Sequence, residues 1–111
     1  MEKEYYIYML ECGNGALYTR YTTDIDRRVR EHLGGNRRAK FTAGFRPMRT
    51  AACWKLRGTR SDALKVEAFI KRMSRAEKDG LVTNPERLGT LVKEIIAARV
   101  SVHTASVAEG K

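Results

Sequence analysis

The 111-residue chain has room for one domain around one modest core, and it is strongly basic: 22 Lys and Arg against 13 Asp and Glu give a net charge of +9. Two cysteines without a CxxC pair argue against a four-ligand structural zinc site. With no signal-like N-terminus they also argue against a secreted disulfide framework, and no apolar run approaches membrane-spanning length. The charge calls for an anionic partner, nucleic acid above all, and the remaining features suit a soluble, cytoplasmic protein with reduced thiols.

In chain order, Tyr5 to Glu11 is rich in Tyr, Ile and Met and reads as a strand, followed by the turn residues Cys12-Gly13-Asn14-Gly15 and a second strand from Ala16 to Thr22. Alternation puts Tyr6, Tyr8 and Leu10 on one face of the first strand. In the second it joins Tyr18 with Arg20, against Leu17, Thr19 and Tyr21. Thr23 with Asp26 resembles a capping box, so a helix is expected from about Asp24 to Leu33, ending at Gly34-Gly35, with Ile25, Val29 and Leu33 as its apolar stripe. Arg28 and His32, four residues apart, lie along one margin of that stripe, whereas Arg27, Arg30 and Glu31 point more toward solvent.

Between Glu31 and Asp62 the chain has no acidic residue, while Arg37, Arg38, Lys40, Arg46, Arg49, Lys55, Arg57 and Arg60 fall there. Such a one-sign run beside a helix carrying Arg27, Arg28 and Arg30 is suited to contacts with phosphates. The loop from Gly35 to Pro47 has room for one helical turn near Arg38 to Thr42. A third strand then alternates from Met48 to Leu56, with Met48, Thr50, Ala52, Trp54 and Leu56 on one face. Ser61 is expected to cap a helix from Asp62 to Met73, and Ser74 with Glu77 forms a capping box for a short helix to about Val82. Asn84-Pro85 opens a last helix to about Arg99, and Val102 to Lys111 reads as a frayed tail. The expected fold is α+β: a small antiparallel three-stranded sheet flanked by about four or five helices, with the domain over 1–83 and a C-terminal helix and tail over 84–111.

Taken singly, these residues have plain explanations: strand tyrosines pack with a wet hydroxyl, and Glu67 four residues before Lys71 makes a surface ion pair. Together they carry more. The order YIYML, turn, LYTRYTT, D-x-x-RR-x-x-EH, then Ala63-Leu64-x-x-Glu67-x-x-Ile70-Lys71 resembles the GIY-YIG nuclease superfamily. The Ser74 to Lys78 run is similar to its small standalone bacterial branch, related to the excinuclease catalytic domain.

That resemblance implies Tyr8 and Tyr18 as the active-site tyrosines, Arg28 as the helix arginine and His32 as its His-or-Tyr partner. It implies Glu67 as the metal ligand, with Mg²⁺ (or Mn²⁺) as cofactor. Arg20, Arg27, Arg30, Arg37, Arg38, Lys40 and Arg46 are the expected nucleic-acid contacts. The implied activity is a metal-dependent endonuclease, with DNA as first choice of substrate and low sequence specificity, acting as a monomer or weak homodimer away from membranes. Arg20 stands where the family places Gly. A guanidinium on the face of Tyr18 is expected to obstruct the site, which keeps a non-catalytic nucleic-acid-binding protein as the alternative. A surface that docks an acidic protein is a third class.

Overall fold

Strand β1 (Lys3–Cys12) is the spine of the fold, paired on both sides. The computed structural model describes residues 2–33 and 47–106. It contains β2 (Leu17–Thr22), α1 (Ile25–Leu33), β3 (Pro47–Gly58), α2 (Arg60–Lys71), α3 (Arg75–Thr83), α4 (Arg87–Leu91) and β4 (Ser101–Thr104). The sheet is antiparallel with strand order β2-β1-β3-β4.

The turn residues close the β1–β2 hairpin as their chemistry dictates. Gly15 adopts φ +87°, a conformation open to glycine, while the Cys12 N–H donates to the Ala16 carbonyl at 2.9 Å and the Ala16 N–H to Asn14 Oδ1 at 3.0 Å.

Alternation then divides the sheet into two faces. Tyr5, Ile7 and Met9 of β1 join Ala52, Trp54 and Leu56 of β3 beneath Ala63, Val66 and Ile70 of α2, with Leu81, Leu88, Val92 and Val100 completing this main core. Trp54, 1% exposed, donates its indole N–H to the Pro85 carbonyl at 2.6 Å, which satisfies its one polar atom. On the opposite face Tyr8, Leu10 and Cys53 pack under Ile25 and Val29 of α1. A nine-residue helix is marginal alone, so α1 is held by that burial and by its cap.

Several expectations are corrected. The cap of α1 is Asp24, whose Oδ1 accepts from the Arg27 N–H at 3.3 Å, and not Thr23. The cap of α2 is Thr59 instead of Ser61: its hydroxyl accepts from the Asp62 N–H at 3.2 Å while Asp62 Oδ2 accepts from the Thr59 N–H at 2.8 Å, so the helix begins two residues early. A bulge shifts the β1–β3 register from Met9↔Ala52 to Leu10↔Thr50, leaving Ala51 as the extra residue. Thr50 therefore belongs to the face of Leu10, not to that of Ala52 and Trp54.

The expected three-stranded sheet has a fourth strand. Residues 101–104, of which all but Ser101 were read as part of a tail, pair with β3 through Leu56↔Val102. The expected long helix to Arg99 is instead the five-residue α4 followed by turns. At Gly89 an added Cβ would lie 3.2 Å from the Val102 carbonyl, so α4 is pressed against β4 where only glycine fits easily. Four helices are present among the described residues. The proposed turn at Arg38 to Thr42 and the Gly34-Gly35 stop lie outside them.

Candidate active site

The α1-bearing face of the sheet gathers the tyrosines. Register sets Tyr8 opposite Arg20 and Leu10 opposite Tyr18, so the three polar side chains share one face across β1 and β2. Tyr8 is fully buried beneath α1. Burial pushes its phenol above the ordinary tyrosine value. Arg28, by charge and by a side-chain hydrogen bond, and Arg20, by charge, pull the other way without reversing it, and Cys53 adds to the rise. Tyr8 therefore keeps its proton at neutral pH and is a hydrogen-bonding group, not a ready base.

Arg28 reaches Tyr8 from α1, and its Nη1 also donates to Glu31 Oε1 at 3.1 Å. Glu31 takes Arg27 as well, at 3.7 Å, and its side chain is only 18% exposed. This corrects the expectation that Glu31 points to solvent: it is the group that orients the helix arginines. Its spacing, three and four residues beyond Arg28 and Arg27, was the available signal. With its side chain 44% exposed, Arg28 still presents part of its five-donor fork to solvent.

Arg20 folds back onto its neighbour. Its guanidinium carbon lies 4.6 Å from the Tyr18 ring centroid, and Nη2 donates to the Tyr18 hydroxyl. Arg27 and Arg30 are exposed on α1.

Glu67 is placed differently. It is 8% exposed on α2, the helix that packs against the main core and contacts β1 and β2, and its carboxylate pairs with Lys71 at 3.7 Å. Among the described residues no group of three or more His, Cys, Asp or Glu side chains could hold a metal ion. The His32 side chain and Arg37, Arg38, Lys40 and Arg46 lie outside the described residues.

The span that carries the buried tyrosine, the second tyrosine beside it and the arginine steered by a carboxylate also matches a family model. Residues 4–79 match the GIY-YIG catalytic domain. The chain belongs to that family. Within it, the chain is similar to UPF0213 proteins, a small standalone GIY-YIG group. It is 42% identical over 79 residues to one from Halalkalibacterium halodurans, covering 71% of this chain and 82% of that one. A relative from Syntrophus aciditrophicus is 44% identical over 84 residues, covering 75% and 95%. The solution NMR structure of the UPF0213 protein from Bacillus halodurans aligns with 37% identity over 82% of this chain and 98% of that one, at a TM-score of 0.47. Family membership supports a nuclease-like function and nucleic-acid binding. Members of the family generally depend on a divalent metal, and no helix among the described residues is long and apolar enough to cross a membrane.

Proposed function

We propose that this protein is a metal-dependent phosphodiesterase that cleaves nucleic acid, DNA in the first place, with low sequence specificity. The observation that carries this reading is the convergence of Arg28 and Tyr8: a guanidinium fixed by Glu31 and by a proton-bearing phenol, with donors left over for an anion.

Hydrolysis needs water to bond phosphorus, the P–O ester bond to break, and the leaving oxygen to gain a proton, while charge accumulates on the phosphoryl oxygens. Arg28 donates charge-assisted hydrogen bonds to those oxygens, and Glu31 holds it in place beforehand. Tyr8, protonated, positions the phosphate or the attacking water. Tyr18, half-buried where Tyr8 is fully buried, is the tyrosine more open to the attacking water and helps to position it.

Hard divalent cations at phosphate-transfer sites are held by one or two carboxylates together with substrate oxygens. Glu67 fits that donor set: it is one nearly buried carboxylate whose 3.7 Å contact with Lys71 is loose. When bound there, Mg²⁺ or Mn²⁺ supplies charge neutralisation for the phosphate and the leaving oxygen.

One observation favours a second reading, a nucleic-acid-binding protein without turnover. Arg20 occupies the ring face and the hydroxyl oxygen of Tyr18, the atom that would hold the attacking water.

Cleavage of labelled single-stranded, duplex and branched DNA, in Mg²⁺, Mn²⁺ or EDTA, separates the two. Metal-dependent cutting that falls by 100-fold or more in Glu67→Ala and Arg28→Ala is the expected result, on the scale of losing one transition-state contact (about 10²–10³). Cutting by Arg20→Gly alone would make the second reading correct. No cutting and no binding by any of them would end both.

A further inference from the structure

Among the described residues, helix α1 packs on Tyr8, Leu10 and Cys53, with Tyr6 at the margin of that cluster. One step along the strands, the register sets Tyr6 opposite Lys55, and Lys55 opposite His103 of β4. One step further, Arg57 lies on the same face. Lys55, Arg57 and His103 are exposed and Tyr6 is half-buried. Neither Lys55 nor Arg57 has an ion-pair partner among the described residues, whereas Arg28, Arg49, Arg75 and Arg99 all do. Glu4, opposite Arg57 in register, is the acid on this surface, and the two do not form an ion pair.

We propose that this exposed row is a platform for single-stranded nucleic acid: one unpaired base stacks on Tyr6, and Lys55, Arg57 and His103 carry the backbone toward Arg20 and Tyr8. The proposal rests on the phosphodiesterase or binding reading of the same face. Its geometry follows from sheet spacing. The row from β2 to β4 through Tyr6 spans about 14 Å, and the row holding Tyr8 and Arg20 lies about 7 Å away along the strands, within one nucleotide's reach. Lys55 Nζ lies over the Tyr6 ring, 5.9 Å from its centroid, so a base stacking there takes the place of a loosely held lysine, which is left free for the phosphate.

Aromatic rings flanked by cations bind single strands because unpaired bases offer a π-face, whereas a duplex keeps its bases stacked inside. An acidic peptide would satisfy Lys55 and Arg57 but would gain little from the ring. His103 lies beyond the residues matched to the family domain, so β4 adds to the platform something the domain alone lacks.

The test is fluorescence anisotropy in EDTA with one labelled oligonucleotide, single-stranded and as a duplex, across a salt series, with polyglutamate as competitor. Tyr6→Leu keeps the packing and removes the π-face. It is expected to weaken single-strand binding roughly 5- to 100-fold, to leave the duplex unchanged and to preserve the salt slope. Lys55→Gln and Arg57→Gln should each lower the single-strand slope of log K against log salt by about 0.7. His103→Ala should weaken the single strand more than the duplex. Unchanged melting temperatures check the fold of these surface variants.

If the wild type binds nucleic acid and Tyr6→Leu loses nothing, or loses duplex equally, this inference fails while the function reading stands. Polyglutamate competing as well as the oligonucleotide overturns it in favour of a protein partner. No binding of either nucleic acid overturns both.

Discussion

At the scale of single residues, the candidate site is built by burial as much as by charge. Cys53 shows this most sharply, because it lies under α1 beside Tyr8 and burial pushes its thiol up to about 12. In the unfolded chain a thiol titrates near 8.5. The folded state thus holds the proton that the unfolded state releases, so the stability this confers is complete below about pH 8.5 and drains away as pH rises toward 12. Tyr8, raised for the same reason, adds to the loss at the upper end. Urea unfolding at pH 7.5 and 10.5 should therefore show the wild type losing about 2–3 kcal/mol from this one group. Cys53→Ala should be weaker at pH 7.5, because it leaves a small cavity, yet lose clearly less across the interval. Equal losses in the two proteins would show that Cys53 is not the group responsible.

At the scale of elements, the α2 N-terminus concentrates much of the fold's polar specification. Burial pushes the Asp62 carboxyl up, but the Thr59 N–H and hydroxyl and the Arg99 guanidinium outweigh it and hold it below the usual carboxylate range. That contribution is present above about pH 4 and is lost as pH falls, the reverse of Cys53. Gly58 lies directly against this knot. A Cβ there would sit 2.8 Å from Asp62 Oδ2, which three donors hold in place, and 3.3 Å from Leu56 Cδ2. Gly58→Ala should cost about 1–3 kcal/mol. Gly80→Ala, inside α3 with no atom near the new methyl, should gain about 0.5–1 kcal/mol. Thermal or urea unfolding of the pair checks this, and a stable Gly58→Ala would mean the cap can shift.

The same scale shows what the sequence could tell. The β1–β2 hairpin and α3 rest on local signals, a turn glycine and a capping box, and they were legible, as was α1 from its apolar stripe, although its cap lies one residue later than expected. The tyrosine and arginine positions were legible because strand parity and helix spacing are fixed by covalent geometry. What escaped depends on distant partners. Ala51 and Ala52 are the same residue, so nothing local says which one bulges. Helix α4 is short because it meets β4, and β4 is a strand because β3 offers it an edge. The steering of Arg28 by Glu31 was hidden by an assumption that a charged residue near a helix margin faces water.

At the scale of the whole molecule, the net charge of +9 makes any nucleic-acid affinity steeply salt-dependent. The strand order has a different consequence, one for synthesis. The central strand β1 is made first, but its second neighbour starts at residue 47, the Trp54 indole is satisfied only by Pro85, and the outer strand arrives at residues 101–104. A growing chain on the ribosome can therefore close the β1–β2 hairpin early, yet must keep the hydrophobic sides of β1 waiting until nearly all of the described chain has emerged. At about 5–20 residues per second, that interval is several seconds with an open sheet edge, long enough for a chaperone to find it.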